Sequence, residues 1–297
     1  GGTVNASSST GSGGEVLIEG RAITMGSTSQ VDASGASGGG SVRIGGGFQG
    51  LDPDVMNADT LTVAEGAVLR VDSLTGGNAG TVALWSDGST EFRGNVSAEA
   101  FGSEGDGGFV EVSGKRELLY EGLVSTLSAN GRTGTLLLDP ENFVIGATTG
   151  ANALSATDLV TALGTSNIVV STGNGNPVGE TGTISVNSAV SWANGNQLSL
   201  LAHGDIRFNA SVQNSSSGDL VAIAGWDGTN GYTPATPGGA TNGSLDYANF
   251  IANPSWYGNA NGTATGSIYV GSGSQTAGIA VGSRLGDTKV AAYDVRL

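Results

Sequence analysis

GDGGFVEVSGK, residues 105–115, carries the reading of the fold. A glycine pair opens it, Phe109-Val110-Glu111-Val112-Ser113 alternates, and Gly114 closes it. Alternation with a period of two is the pattern of a strand with one face turned to a core. The phrase recurs as GSGGEVLIEG at 11–20 and GASGGGSVRIGGG at 35–47, with looser copies in GNAGTVALWSDG at 77–88 and GRTGTLLLDP at 131–140. Counted from the glycine before each strand, Gly14 to Gly40 is 26 residues, Gly80 to Gly108 is 28 and Gly108 to Gly134 is 26. Gly40 to Gly80 is 40, and the excess falls on FQGLDPDVMNAD at 48–59, read as an inserted polar loop.

Between these phrases lie further strands and turns in AITMGSTSQVDASG (22–35), LTVAEGAVLRVDSLTG (61–76), STEFRGNVSAEAFG (89–102) and ELLYEGLVSTLSANG (117–131). A period of 20–50 residues marks a solenoid or a propeller, and about 26 residues hold three short strands, too few for a four-stranded blade. The expected fold is all-β, a parallel β-helix in which each strand stacks on its equivalent about 4.8 Å away. Val16, Ile18, Val42, Ile44, Val82, Leu84, Val110, Val112, Leu136 and Leu138 are then expected to line one inward stack. The paired glycines are expected to supply positive φ and tight corners without a Cβ clash at each level.

Residues 1–139 are thus expected to form repeats of about 26 residues with an insertion near 48–59, and 140–297 to continue the coil. There, Leu200-Leu201-Ala202 matches Ala222-Ile223-Ala224 at a spacing of 22, and strands are expected in SIYVGSG, AGIAVGS and TKVAAYDVRL. One short helix is expected near 156–163, with Ser155 as its cap, Asp158 three residues on and Gly164 at its end, covering the coil with Leu159, Val160 and Leu163.

Composition narrows the function. Glycine numbers 53 of 297 residues, roughly two and a half times the usual share of about 7%, and charged residues are 12%. The formal charge of −15 opposes binding to nucleic acid or to an anionic membrane surface. A mean hydropathy of +0.02 fits neither a membrane span nor a solvated disordered chain. Cysteine is absent, which removes disulfides and thiolate metal sites. The chain opens on Gly1-Gly2-Thr3-Val4 and is expected to be a piece of a longer precursor. With no polar cap legible at either end, head-to-tail self-association into filaments is a further expectation.

VRIGGGFQG, NADTLTVAEGAVLRVDS, GTVALWSDGSTEFRGNVSAEAFG, GDGGFVEVSGKRELLYEGLVSTLSANG, GTLLLDPENFVIG and IAVGSRLGDTKVAAYDV resemble, in this order, segments of filamentous-haemagglutinin-like large exoproteins of Gram-negative bacteria. The run from 105 to 146 is the most specific part. The resemblance implies a right-handed parallel β-helix and two-partner secretion, meaning export through a dedicated outer-membrane partner transporter. It also implies a role in adhesion or as a surface fibre touching a glycan or protein of a host or neighbouring cell. The amino-terminal secretion domain of that family, with its NPNG-type motifs, is not matched.

Chemistry is sparse in the sequence. No Asp-Asp pair of the kind used by β-helical polysaccharide enzymes is found, so no catalytic residue is assigned and a carbohydrate-active enzyme or polysaccharide-binding module is the alternative. The only histidine, His203, shares a strand face with Asp205 and is read as structural. No cofactor is expected, with calcium on Asp52, Asp54, Asn57 and Asp59 as the rival to a solvated acidic loop. Near 226–262 an aromatic-rich insertion holds Trp226, Tyr232, Trp256 and Tyr257, candidates for a ligand or partner contact if exposed and a small loop core if folded inward. Six N-x-[ST] sequons, at Asn5, Asn95, Asn209, Asn214, Asn242 and Asn261, are no more than such an Asn- and Ser-rich chain produces by chance.

Overall fold

A computed structural model describes residues 1–172, 181–228, 230–233, 244–245, 247–257, 266–271 and 278–297. The fold is a parallel β-helix, and every ladder between named strands in its long sheets is parallel. Two compact units are distinguished: the first holds Gly1–Asp139 and Thr165–Asn167, the second Pro140–Gly164, Ile168–Thr233 and Leu245–Leu297.

In the first unit each turn of chain lays down three strands on three sheets. The glycine-led sheet takes Glu15–Ile18, Ser41–Ile44, Thr81–Ser86, Phe109–Gly114 and Thr135–Leu138. A second sheet takes Ala22–Met25, Thr60–Val63, Ser89–Phe92 and Glu117–Tyr120, and a third takes Thr3–Asn5, Gln30–Asp32, Val68–Arg70, Asn95–Ser97 and Leu123–Ser125. The register repeats the spacing of the sequence. Val16, Val42, Val82, Val110 and Leu136 stand in one column, and Ile18, Ile44, Leu84, Val112 and Leu138 in the next. All ten except Ile18, which is half-buried, are in the core. The other sheets contribute the Val31-Leu69-Val96-Val124 and Val63-Phe92-Tyr120 columns, the last with Phe92 and Tyr120 rings stacked at 5.5 Å. Burying each such side chain contributes roughly 1.5–3 kcal/mol, and the columns make that burial continuous from turn to turn.

Of the two means expected of the glycine pairs, the missing Cβ is the one that applies at these strands. The glycines just before the strands are not in the left-handed region; what they need is room. A Cβ on Gly40 would lie 2.0 Å from the Gly14 carbonyl oxygen, on Gly80 2.0 Å from that of Gly40, on Gly108 2.1 Å from that of Gly80, and on Gly134 2.0 Å from that of Gly108. These carbonyls accept the ladder bonds of the next turn, as in Phe109 N–H to Gly80 O at 3.1 Å and Thr135 N–H to Gly108 O at 3.0 Å. Glycine recurs because backbone passes backbone at this corner on every turn.

The second unit coils by the same rule. Asn167–Ser171, Leu198–Ala202, Leu220–Ala224 and Thr288–Ala291 pair in sequence order, with Leu200-Leu201-Ala202 opposite Ala222-Ile223-Ala224. Phe143–Gly146, Ile184–Val186, Ile206–Phe208, Ser267–Val270 and Asp294–Arg296 form a second side, and Val190–Trp192, Val212–Asn214 and Val281–Ser283 a third. The helix spans Ala156–Leu163; Ser155 Oγ accepts the Asp158 N–H at 3.0 Å, and Leu159, Ala162 and Leu163 are buried while Val160 is only half-buried. Gly164 closes it with φ −68°, a right-handed continuation and not a left-handed cap. A second helical segment, Tyr247–Ala252, occurs within the aromatic-rich insertion, where the sequence suggested only a loop.

Candidate functional site

The 48–59 insertion places chemistry where the sequence pattern shows a bare strand face. In the alternation of Phe109–Ser113, Val110 and Val112 point into the coil, so Phe109, Glu111 and Ser113 point out; yet all three are fully buried. The cover is the insertion. Its start, Phe48–Gly50, is a single 3-10 turn in which Phe48 meets Phe109 edge to face at 5.3 Å. Gly50, at φ +62°, passes so close to the Trp85 indole that a Cβ would lie 2.5 Å from it. Beneath the turn, the Gln49 backbone N–H donates to both Glu111 carboxylate oxygens, at 2.9 and 3.2 Å, and the Gln49 side-chain amide reaches Asp139 Oδ2 at 3.4 Å. Gln49 holds this position at φ +55°, an uncommon conformation for a residue with a side chain.

Glu111 therefore sits with no exposed surface beside Asp139, which is 5% exposed. Burial pushes the Glu111 carboxyl up to about 8, the Asp139 charge adds to the rise, and the Gln49 N–H and Ser113 hydroxyl partly oppose it. The raised value favours the protonated form of Glu111, as expected of two carboxyl groups in one water-poor site. Such a neutral acid beside a carboxylate has the elements of proton-transfer chemistry. With the insertion in place the pair is covered, Glu111 completely and Asp139 almost so.

The sequence reading missed Glu111, Asp139 and Gln49 because strand alternation assigns Glu111 to solvent. One signal was available: Phe109, Trp85 and Leu137 also occupy outward positions, and apolar residues there require a cover.

The residues singled out from the sequence have other roles. Asp52 Oδ2 accepts from Arg43 Nη1 at 2.8 Å and its Oδ1 accepts the Asp54 N–H at 3.0 Å; Asn57 bonds the Gly50 carbonyl and Asp87, and Asp59 lies 3.6 Å from Arg21. Among the described residues no three acidic or histidine side chains gather as a metal site, and the four calcium candidates of this loop are engaged in ion pairing and turn formation. Arg43 also pairs with Glu15 and so ties the insertion to the first turn. His203 Nδ1 bonds the Trp226 carbonyl at 2.8 Å, and Asp205 accepts the Ser267 N–H at 2.9 Å while pairing with Arg207 at 3.1 Å. These bonds use both residues to position neighbouring backbone.

Trp226 and Tyr232 are 1% and 5% exposed and pack edge to face at 6.3 Å, with the indole N–H donated to the Asn230 carbonyl at 2.8 Å. Neither offers a ring face to a ligand, which corrects the contact-platform reading for this pair. Trp256 and Tyr257 are half-buried, and the Trp256 carbonyl accepts the Asp227 N–H at 3.0 Å. The rest of the 226–262 stretch lies partly outside the described residues. Of the sequons, Asn5 and Asn95 are exposed, Asn209 half-buried and Asn214 2% exposed, while Asn242 and Asn261 lie outside the described residues.

Fold and site together define a parallel β-helix with a capped, buried acidic pair on one outer face. Comparison of the chain with protein-family models and with curated proteins finds no match. Among the described residues no helix is long and apolar enough to cross a membrane.

Proposed function

We propose that this chain is a non-enzymatic structural and adhesive segment of a filamentous-haemagglutinin-like exoprotein, displayed outside a Gram-negative cell. The reading carries with it an outer-membrane partner transporter for the precursor and a glycan or protein ligand on a host or neighbouring cell. The observation that supports it best is that the resembling phrases occupy equivalent places on consecutive turns, so that what the sequence repeats is a stacking unit and not a reacting centre. A repeated rung gives length and a broad side surface, which suits a fibre component. The test is binding of the purified chain to epithelial and bacterial cells and to an array of glycans and matrix proteins. Saturable binding that heat-unfolded chain does not show is the expected result, and its absence from every surface would overturn the adhesive part. Light scattering of the same sample tests self-association into filaments.

The carbohydrate-active reading has one observation in its favour, the Glu111–Asp139 pair on the outer face of adjacent turns. Release of reducing or unsaturated ends from acidic polysaccharides, abolished in Glu111→Gln, would replace the structural reading with an enzymatic one.

A further inference from the structure

The insertion has the construction of a part that can move without unwinding the coil. Its two ends are pinned together by the Ala58 N–H bonded to the Gly45 carbonyl at 2.7 Å. Outside that pin, Gly45 N–H is held by Ile18 O at 2.9 Å and Asp59 N–H by Arg21 O at 2.7 Å, so the flanking strands keep their register whatever the loop does. A compact loop with closed ends is the form of an Ω-loop. Inside the pin the loop meets the sheet face at a few points: Phe48 on Phe109, Gly50 on Trp85, Asp52 on Arg43, Asn57 on Asp87, and Gln49 on Glu111 and Asp139.

One of these points covers a proton-bearing group: the Gln49 N–H by itself favours a charged Glu111, whereas burial of that carboxyl beside Asp139 opposes the charge while the loop is closed. Facing Glu111 are Asp139, from the segment after Thr135–Leu138, and the uncharged backbone and amide of Gln49, from the loop. Ala83 is its register neighbour on the Thr81–Ser86 strand, and Arg43 lies one strand further, roughly 10 Å away by strand spacing, already paired with Glu15 and Asp52. Asp87 bonds the Trp85 indole N–H and Asn57, and Asp54 is exposed. None of these side chains is a cation in contact with Glu111 itself.

We propose that residues 46–57, the loop inside the pin, form a flap over the buried Glu111–Asp139 pair, closed while the Glu111 carboxyl keeps its proton and released when both carboxyls are charged and require water. Release gives the carboxylates water and uncovers a strip carrying Trp85, Phe109, Glu111 and Asp139. Closure returns through Phe48–Phe109 and Arg43–Asp52, which do not need the proton. This device is independent of the adhesive reading.

Hydrogen–deuterium exchange at pH 5 and pH 9, corrected for intrinsic exchange and read by mass spectrometry, tests it on the whole chain. The opening constant of 46–57 is expected to rise on the order of a hundredfold between the two, while the strands Thr81–Ser86 and Phe109–Gly114 keep their protection. In Glu111→Gln the flap is expected to stay protected at both. A flap with the same protection at both pH values, or one that loses it only together with the strands, would overturn the proposal. If Glu111→Gln does not fold, Asp139→Asn serves: with the facing charge gone the pH response is expected to shrink, and an undiminished response would count against the mechanism.

Discussion

Replacing Gly108 with alanine tests whether the glycine repeat records close backbone approach. The new Cβ would stand 2.1 Å from the Gly80 carbonyl oxygen and 2.8 Å from Ala98 Cβ, about 1.3 Å inside the 3.4 Å at which ordinary contact begins. Neither neighbour is the end of a flexible side chain. The strands must part, but their separation of about 4.8 Å is set by ladder bonds on both sides, Phe109 N–H to Gly80 O and Thr135 N–H to Gly108 O. Overpacking costs about 1–3 kcal/mol, and loss of both bonds about 1 kcal/mol each, for an expected destabilisation of about 3–5 kcal/mol. Gly26 is the control: its backbone is not in the left-handed region and an added Cβ meets nothing within 4 Å. Gly26→Ala is expected to lie between neutral and about 1 kcal/mol stabilising, through the loss of unfolded-chain freedom. Urea unfolding followed by circular dichroism separates the two, with slopes compared because repeat arrays can lose cooperativity. Equal midpoints for the two variants would refute the close-approach account and return the glycines to a conformational role.

Val112→Asp places a carboxylate between Leu84 and Leu138 in the inner column, and a loss on the order of 3–5 kcal/mol is expected; an unchanged Tm would contradict the inward stack. Trp226→Ala is expected to cost about 3–5 kcal/mol through the cavity left beside Tyr232, while any glycan binding persists in the folded fraction; loss of binding at full stability would restore the platform reading. Glu111 contributes in full below its ordinary value of 4.5, where folded and unfolded chains are both protonated. Its folded value is raised, so stability falls as pH climbs from there to about 8 and levels off above, by at most about 5 kcal/mol. Urea midpoints at pH 5, 7 and 9 measure that slope, which is expected to vanish in Glu111→Gln; the opposite slope, or one that survives the substitution, would show that another group carries it.

Much of this molecule is local and therefore legible in the sequence. Strand alternation states which residues share a face, and the spacing of GGFVEVSG-type phrases states which residues lie one turn apart. Together these place Val16, Val42, Val82, Val110 and Leu136 in one column. The helix could be read from Ser155 and Asp158 because an N-cap is satisfied within one turn of chain. Other features depended on residues distant in sequence. The repeat named the glycines and offered two purposes, positive φ and a missing Cβ, which leave the same letter; only the position of the next turn's carbonyl separates them. Trp226 and Tyr232 carried no mark of inside or outside, because that was decided by how their loop folds back. Glu111 is the sharpest case. Its place on the outer face was local information, but its burial, its proton and its bond to Gln49 depend on a segment 62 residues earlier in the chain, and a residue's dielectric surroundings are a property of everything packed around it.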